Sequence, residues 1–266
     1  NNVLGTINLL FGMKKHCPDA HLIKLGTMGE YGTPNIDIEE GWLEITHKGR
    51  KDRVLYPKKP MSFYHLSKVH DSNNIEFACR VWGTKCTDLN QGCVYGLETE
   101  ESKMDEKMST SFHYDQVFGT VINRFICQSI IGKDLTVYGN GTQTRGYLNI
   151  IDTLNCVNIA TNNPASTGEF RVFNQYTEVL SINDIAKNII SAASQIGIKS
   201  KIKNLENPRT EQEDHYYKPN NESLIKLGLK PIMIGDNVLP NMMKKALQYK
   251  DRILEQTILP TIKWKQ

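Results

Sequence analysis

Tyr64 and Lys68 are the residues whose types and spacing point most directly to chemistry, in the run Ser-Phe-Tyr-His-Leu-Ser-Lys at positions 62–68. Four residues make about one turn of an α-helix, so the phenol and the ammonium would share one helix face. An ammonium near a phenol favours the phenolate, which can act as a general base on an alcohol. Enzymes that pass hydride between an alcohol and a nicotinamide ring need such a base. The spacing alone does not establish this chemistry, because such pairs occur by chance on many surface helices.

The elements around this pair predict an α/β protein. Apolar residues recur at intervals of three and four over residues 3–16, which predicts an amphipathic helix, and residues 21–25 predict a short apolar strand. A second helix over residues 62–82 carries the tyrosine and the lysine, and residues 85–90 predict another strand. This alternation is typical of a doubly wound parallel sheet. Residues 37–60 are charged and lack periodicity, so we expect a long loop at the carboxyl edge of the sheet.

A second, smaller unit is predicted from about residue 97 onward. Its expected helices cover residues 115–131, 152–161 and 181–196, and its expected strands cover residues 135–138, 145–151 and 170–173. Ser181 and Asp184 have the spacing of an acidic variant of the capping box. This pair predicts that the last of these helices begins directly after Ser181.

The composition indicates a globular protein and excludes several classes. The chain has 266 residues, of which 39% are hydrophobic, and this suffices for a substantial core. The net charge of +3 arises from 32 basic and 29 acidic residues without a block of like charge, so no nucleic-acid-binding arm is indicated. The six cysteines are scattered without a C-x-x-C pair, which predicts free thiols in a reducing compartment and no metal site. No stretch is long and apolar enough to predict a membrane span.

Three glycines, Gly26, Gly29 and Gly32, follow the first strand with a spacing that suggests a dinucleotide-binding loop. Such a loop must open a helix whose N-terminus receives the pyrophosphate, whereas Pro34 and an aperiodic segment follow here. We therefore reject this motif as a dinucleotide site. Either the protein does not bind a dinucleotide, or the segment that does so lies upstream of Asn1. The chain does not begin with methionine, and we expect such a segment to supply a strand and a G-x-x-G-x-x-G loop that opens a helix.

The order of several short motifs resembles one enzyme family. The motifs are Thr27 before Tyr31-Gly32, Tyr64-x-x-Ser67-Lys68, Tyr95-Gly96, the run Val137-Tyr138-Gly139-Asn140-Gly141-Thr142-Gln143-Thr144-Arg145, and Asp152. In this order they resemble the extended short-chain dehydrogenase/reductase family of nucleotide-sugar epimerases and dehydratases. The resemblance implies a Rossmann-like, doubly wound parallel sheet that binds NAD, with residues 1–96 as the C-terminal portion of the NAD-binding domain. Residues 97–266 would form mainly the nucleotide-sugar-binding domain, and it stays open whether parts of them return to the first sheet.

The resemblance also implies roles for individual residues. Tyr64 would be the base for hydride transfer, and Lys68 would support it while holding the nicotinamide ribose. Thr27 would hydrogen-bond the reacting O4 hydroxyl of the sugar, and Val94 would meet the cofactor through its backbone. Arg145 would clamp the diphosphate, because a guanidinium fork suits two phosphate oxygens. The positions expected to bind the nucleotide sugar, besides Thr27, are Gln91, Asn123, Arg124, Val137, Tyr138, Gln143, Arg145, Arg209 and Glu211.

Longer runs resemble one branch of this family, the enzymes that convert UDP-glucose and sulfite to UDP-sulfoquinovose, the head-group donor for sulfolipid. These runs cover residues 24–41, 63–72, 88–92 and 171–175, and the likeness extends over nearly all of the chain. It implies oxidation at C4, loss of water across C5 and C6, addition of sulfite at C6 and reduction at C4. A UDP-sugar 4-epimerase or 4,6-dehydratase, or a non-catalytic sugar-nucleotide-binding homologue, stays open as an alternative.

The chain departs from the family's dehydratases directly after Thr27. Those enzymes carry an Asp-Glu pair there, which protonates the leaving 6-hydroxyl and removes the 5-proton, whereas this chain has Met28 and Gly29. Another group would have to move these protons, and the nearest candidates are Glu30 and His65, whose imidazole can titrate near neutrality. Two alternatives stay open for each candidate. His65 acts on the substrate or packs beside the helix, and Glu30 acts on it or is solvated.

The resemblance further implies a homodimer that forms through the helices over residues 3–16 and 62–82. Apolar residues on two faces of the first helix agree with this expectation. UDP-glucose and sulfite are the expected small-molecule partners, and a protein that delivers sulfite is left open as another. We expect a cytoplasmic protein if the source is bacterial and a chloroplast stromal protein if it is algal or plant.

Overall fold

The computed structural model describes residues 2–207, 216–235 and 237–259. The chain divides into two compact units. Unit 1 comprises residues 1–92, 152–176 and 216–231, and unit 2 comprises residues 93–151, 177–215 and 232–266. The first boundary therefore lies four residues before the expected one at residue 96, and two later segments return to the first unit.

The helices and strands are numbered in chain order. The α-helices are α1 (Asn2–His16), α2 (Phe63–Trp82), α3 (Val121–Ile130), α4 (Ile150–Asn162), α5 (Ile182–Gln195), α6 (Glu222–Lys226) and α7 (Val238–Leu247). The strands are β1 (His21–Thr27), β2 (Trp42–His47), β3 (Arg50–Leu55), β4 (Lys85–Gln91), β5 (Cys93–Tyr95), β6 (Leu135–Tyr138), β7 (Thr144–Asn149), β8 (Phe170–Gln175), β9 (Glu178–Ser181) and β10 (Ile202–Leu205). A 3-10 helix over Met28–Glu30 follows β1 directly.

Unit 1 is built on a three-stranded parallel sheet in the order β1-β4-β8. Leu10 of α1 and Ile75 of α2 share one apolar cluster with Phe170 of β8. In a second cluster, Leu89 of β4 packs with Cys156 of α4 and with Leu224 of α6. Helices thus pack against strands of this sheet in two separate cores, and the predicted Rossmann-like α/β fold is confirmed.

Helix α2 has a well-defined beginning and end. The Ser62 side chain accepts a hydrogen bond from the backbone N–H of His65 at 3.1 Å, which caps the N-terminus. Gly83 adopts the left-handed conformation at the C-terminus, with φ of 74°. The cap at Ser62 places Tyr64 in the first helical turn and Lys68 in the second. The predicted helix over residues 62–82 therefore agrees with the structure to within one residue.

The expected loop over residues 37–60 contains a β-hairpin, so the expectation of a purely irregular segment is wrong. Strands β2 and β3 pair antiparallel around a tight turn at Lys48 and Gly49, both with positive φ. The Trp42 indole N–H donates to the carbonyl of Phe170 in β8 at 3.2 Å. Most side chains of the hairpin are exposed, and β3 begins with four charged residues, so this strand lacks the alternation of apolar and polar residues that predicts a strand.

Unit 2 contains a three-stranded sheet in the order β5-β7-β9 and a parallel pair formed by β6 and β10. Its apolar core joins α3, α5 and α7 to these strands. The predicted capping box of Ser181 and Asp184 is present at the start of α5. The helix expected from residue 115 begins only at Val121, because Asp115 accepts hydrogen bonds from two backbone N–H groups of a preceding turn. The sequence analysis missed β5, β9, β10, α6 and α7.

All six cysteines are free thiols. Burial raises the pKa of Cys79 and of Cys127 to about 12, and that of Cys156 to about 11. These thiols therefore stay protonated and behave as small apolar core residues. Within the described ranges, no helix is both long enough and apolar enough to cross a membrane.

A hydrogen-bonded histidine lies at the start of β1. The Nε2 atom of His21 accepts from the backbone N–H of Ala165 at 3.4 Å and lies 2.9 Å from the Thr87 hydroxyl, which in turn accepts from Arg171 at 2.8 Å. Burial lowers the pKa of His21 below 6.5, and the positive charges of Arg171 and Lys85 lower it further. The folded state therefore favours the neutral imidazole.

This arrangement predicts that acid destabilises unit 1 through His21. Because its pKa is lower in the folded than in the unfolded state, its contribution is complete above about pH 6.5 and declines as the pH falls from there towards the folded pKa. The free energy of unfolding, measured by urea titration at about pH 8 and about pH 5.5, should fall less with acid in His21→Gln than in the wild type. The same change at the exposed His70 is the control. Equal pH slopes in His21→Gln and the wild type would contradict this role.

Candidate active site

The carboxyl ends of two neighbouring parallel strands bring together the first candidate residues. Thr27 ends β1, Gln91 ends β4, and the two are paired in register. The Thr27 hydroxyl accepts a hydrogen bond from the backbone N–H of Gly29 at 3.2 Å, which caps the 3-10 helix that follows β1. Ligands of open α/β sheets bind at this edge, so Thr27 and Gln91 lie where the resemblance expected them.

Tyr64 and Lys68 belong to the same edge. The Lys68 ammonium donates to the carbonyl of Leu25 in β1 at 3.1 Å, and Thr27 follows two residues later. This bond ties the second turn of α2 to the end of the strand that carries the threonine. The Tyr64 side chain is 55% exposed, so its hydroxyl group is open to a substrate. Unit 1 thus brings the predicted threonine, tyrosine and lysine to one edge of the sheet.

His65 lies directly against Gly29. A Cβ atom added to Gly29 would lie 2.4 Å from Nε2 of the imidazole, which is closer than side chains can approach. The centroid of the His65 ring is 5.2 Å from that of Tyr64. Met28, the residue before this glycine, is buried in an apolar cluster with Tyr31 and other residues. A methionine in the core and a histidine ring therefore fill the space that an Asp-Glu pair at positions 28 and 29 would need.

Glu30 has surroundings that neither alternative from the sequence anticipated. Its side chain is fully buried, and its carboxylate forms ion pairs with Lys24 at 2.9 Å and with Lys58 at 2.6 Å. Burial alone would raise its pKa, but the two ammonium groups outweigh burial and lower the pKa below the ordinary value. Glu30 is therefore neither solvated nor open to a substrate, and the expectation that it exchanges protons with one is not supported.

In unit 2, several candidates lie around Tyr138 at the end of β6. The guanidinium of Arg124 lies over the Tyr138 ring at 4.4 Å from the centroid and donates to the carbonyl of Thr136 at 3.0 Å. The amide nitrogen of Gln143 donates to the carbonyl of Tyr138 at 3.3 Å. The Tyr138 hydroxyl and the Gln143 side-chain oxygen are buried and have no hydrogen-bond partner in the described part of the chain. Such atoms are suited to bonding a ligand.

The other candidates of unit 2 make contacts with backbone groups of their own unit. Arg145 is half-buried on β7, and its guanidinium donates to the carbonyl of Thr144. Asn123 donates its amide to the carbonyl of His113 at 2.9 Å. Val94 lies in β5, where it pairs with Leu148 of β7.

Three predicted substrate-binding positions need separate comment. Val137 is fully buried in the core of unit 2, so its side chain cannot contact a substrate as expected. Arg209 and Glu211 lie outside the described residues.

Two further features limit what unit 1 can bind. The glycines of the segment from Gly26 to Gly32 lead into a 3-10 helix and irregular backbone, and the next α-helix begins only at Phe63. This agrees with the rejection of the segment as a pyrophosphate loop. Among the described residues, no group of three or more histidine, cysteine, aspartate or glutamate side chains is placed to hold a metal ion.

The sequence analysis missed a buried charge cluster around Glu30, which includes Lys24, Lys58, Ser72 and Asp88. A signal was present, because each of the two predicted strands carries a charged residue near its middle, Lys24 in one and Asp88 in the other. The two residues are paired in register across β1 and β4. Opposite charges at matching positions of two buried strands predict an ion pair between them.

The contact between Gly29 and His65 generates a prediction. We expect Gly29→Ala to displace the imidazole and lower the free energy of unfolding by about 1–3 kcal/mol, since the new methyl group overlaps the ring. Chemical denaturation measures the loss, and the NMR shifts of the His65 ring report the displacement. Gly235→Ala is the matched control, because a Cβ there has no neighbour within 4 Å. Unchanged His65 shifts in Gly29→Ala would contradict the described packing.

Comparison with known proteins finds relatives that match the whole of this chain. The chain is 54% identical over 266 residues to the chloroplastic UDP-sulfoquinovose synthase of Spinacia oleracea, covering 100% of this chain and 55% of that protein. It is 39% identical over 269 residues to the UDP-sulfoquinovose synthase of Sulfolobus acidocaldarius, covering 100% of this chain and 68% of that protein. The chain thus spans about half of the spinach protein's length.

Solved structures share the fold. UDP-glucose 4-epimerase of Thermotoga maritima with UDP-glucose matches at a TM-score of 0.68 and 18% identity, covering 92% of this chain and 70% of that chain. UDP-glucuronic acid 4-epimerase of Bacillus cereus with UDP-glucuronic acid and NAD matches at a TM-score of 0.64 and 20% identity, covering 96% of this chain and 68% of that chain. The family model described as NAD dependent epimerase/dehydratase family matches residues 1–174. With this match and the 39% identity to the Sulfolobus protein, the chain belongs to the NAD-dependent epimerase/dehydratase family.

Proposed function

We propose that the full-length protein converts UDP-glucose and sulfite to UDP-sulfoquinovose and water, with NAD as its cofactor. The names of the spinach and Sulfolobus relatives support the reaction, and the family description supports the cofactor. The observation that carries the proposal is the position of His65 over Gly29 beside Tyr64. It places a titratable side chain where the dehydratases of the family would carry a carboxylate. The residues proposed for oxidation at C4, which are Thr27, Tyr64 and Lys68, lie beside it.

The residues at the edge of unit 1 fit the nicotinamide end of NAD. Lys68 presents an ammonium that already donates to one carbonyl, and Tyr64 presents an exposed phenol one helical turn away. These two residues would hold the nicotinamide ribose. Bound there, NAD would supply the hydride transfer at C4. The glycines at positions 26, 29 and 32 open no α-helix, so the pyrophosphate must bind elsewhere in the full-length protein.

In the first step, Tyr64 takes the proton of the O4 hydroxyl while Thr27 orients that hydroxyl by a hydrogen bond. Lys68 stabilises the phenolate that this step requires. The resulting 4-ketone makes the proton at C5 more acidic, because the carbanion left behind is conjugated with the carbonyl. Oxidation must therefore precede elimination.

In the second step, His65 takes the proton from C5 and passes it to the 6-hydroxyl, which leaves as water. The product is a 5,6-alkene conjugated with the ketone, to which the sulfur of hydrogensulfite, the protonated form of sulfite, adds at C6. The proton of hydrogensulfite passes through His65 to C5, and reduction at C4 completes the sequence. One imidazole can serve both directions because it acts as a base when neutral and as an acid when protonated.

Substitutions at adjacent residues should separate the two half-reactions in the full-length enzyme. We expect Tyr64→Phe to slow oxidation of UDP-glucose by roughly 10²- to 10⁴-fold, the range for loss of a general base. We expect His65→Ala to oxidise UDP-glucose, seen as absorbance of bound NADH, and to form no sulfonated sugar. Stopped-flow absorbance and mass spectrometry of the products measure the two steps.

His70→Ala is the matched control, because this histidine lies on the same helix and is exposed. It should leave both steps at the wild-type rate. Formation of UDP-sulfoquinovose by His65→Ala at the wild-type rate would show that His65 does not act in elimination. A wild-type enzyme that forms no sulfonated sugar from UDP-glucose, NAD and sulfite would overturn the proposed function in favour of an epimerase.

We also propose that the full-length protein forms a homodimer through α1 and α2. Leu4 and Phe11 of α1 and Phe77 and Val81 of α2 are exposed apolar side chains, which a second copy would bury. Whether the protein works in the chloroplast stroma or the bacterial cytoplasm depends on its source.

The dimer proposal predicts a solution mass of twice the monomer mass at micromolar concentration. Leu4→Glu should shift the protein towards the monomer, because it places a carboxylate in the apolar contact. Leu154→Glu, at an exposed leucine of α4, should not. Light scattering coupled to size-exclusion chromatography measures the mass, and a monomeric wild type would rule the dimer out.

A further inference from the structure

Beneath the catalytic edge of unit 1 lies a buried cluster of charged side chains. The Lys24 ammonium donates to Glu30 at 2.9 Å, to Asp88 at 2.9 Å and to the hydroxyl of Ser72 at 2.7 Å. The Lys58 ammonium donates to the second oxygen of Glu30 at 2.6 Å. The Ser72 hydroxyl lies 2.8 Å from both carboxylates and has one hydrogen, so it can donate to only one of them at a time.

The cluster is neutral as a whole and shielded from water. Glu30 and Asp88 are fully buried, and the Lys24 and Lys58 side chains are 8% and 5% exposed. Two ammonium groups balance two carboxylates. Burial alone would lower the pKa of Lys24, but Asp88 and Glu30 raise it above the ordinary value, so Lys24 stays charged. Loss of any one of these charges would leave its partner uncompensated in the interior.

The members of the cluster come from every element that builds the catalytic edge. Lys24 belongs to β1 and Asp88 to β4, and Ser72 lies on α2 one turn after the catalytic lysine. Glu30 belongs to the 3-10 helix that Thr27 caps. The Lys24 ammonium also lies 3.4 Å from the backbone carbonyl of Lys68. The cluster therefore lies between the turn that holds the threonine and the helix that holds the tyrosine and lysine.

We propose that Glu30 is a positioning residue of the active site, which holds the Thr27 turn against α2 through its two ion pairs and exchanges no proton with the substrate. The proposal rests on the proposed function, because the O4 hydroxyl must meet Thr27 and Tyr64 together. Only the carboxylate of Glu30 contacts both lysines, since Lys58 has no bond to Asp88 among the described contacts. Glu30 thus connects the turn both to Lys58 and, through Lys24, to β1.

The test uses the full-length enzyme with bound NAD and four variants: Glu30→Gln, Lys58→Met, the double variant, and Lys59→Met. Glu30→Gln leaves two buried ammonium groups with one carboxylate, so the turn should shift relative to α2. A displacement of about 1 Å slows chemistry by roughly 10²-fold. We expect such a loss in the rate of NADH formation, with little change in the UDP-glucose concentration that gives half the maximal rate.

The double variant tests whether the loss of rate in Glu30→Gln comes from the uncompensated charge. It removes one positive and one negative charge, which leaves Lys24 and Asp88 as a balanced pair. We expect it to recover about tenfold of the rate lost in Glu30→Gln, because no uncompensated charge remains. Lys59→Met is the matched control on an exposed neighbour of Lys58 and should behave as the wild type.

Several outcomes would overturn the proposal. Glu30→Gln could form NADH at the wild-type rate yet make no sulfonated sugar, which would assign Glu30 to proton transfer. The folded double variant could be no faster than Glu30→Gln, which would exclude charge balance as the cause. Should Glu30→Gln not fold, Lys58→Met takes its place, and equal rates in Lys58→Met and Lys59→Met would contradict the proposal.

Failure of the proposed function is recognised separately. A wild-type enzyme that forms no NADH with UDP-glucose would overturn the assigned reaction. The melting temperature, which needs no substrate, still tests the cluster in that case. The double variant should melt at a higher temperature than Glu30→Gln, and a lower melting temperature would count against charge balance within the cluster.

Discussion

Pairing of buried charges is the constraint on which unit 1 depends. Lys24 and Asp88 stand opposite each other in β1 and β4 and meet at 2.9 Å in the interior. Removal of one partner from a buried pair costs about 3–5 kcal/mol, so a slip of one strand against the other is strongly disfavoured. The same register places Thr27 beside Gln91 at the carboxyl edge. The position of Thr27 thus follows from a charge pair three residues earlier in the strand.

The three glycines of the segment after β1 are spaced as in a phosphate-binding loop, but the packing of their neighbours explains each of them. A Cβ at Gly26 would lie 2.4 Å from side-chain oxygens of both Asp88 and Asn90 in β4, so only glycine fits at this position. Gly29 leaves room for the His65 ring. Gly32 has φ of 67°, and a Cβ there would lie 2.1 Å from a backbone oxygen. Three different neighbours require three glycines, and none of these requirements involves a dinucleotide.

Local patterns in the sequence predicted what local physics determines. Periodicity and caps located α1, α2 and α5, and the spacing of motifs located the group of Thr27, Tyr64 and Lys68 at one edge. The burial and ion pairing of Glu30 were missed because its partners are 6, 28 and 42 residues away in the chain. Contacts at such separations leave no periodic signal. The hairpin of β2 and β3 was missed for a different reason, because most of its side chains are exposed and β3 begins with a run of charged residues.

The histidine and the glycine of this site depend on one another. The His65 ring lies over position 29, so that position must be glycine, and the turn can then carry no exposed carboxylate there. Met28 is directed into the core and Glu30 into the charge cluster, which leaves the turn with a single polar group at the surface edge, Thr27. Under the proposed function, proton transfer then moves from the turn to α2, whose start is fixed by the Ser62 cap. A helix holds successive side chains more rigidly than a loop does, so the bases for C4 and C5 keep a constant separation through both half-reactions.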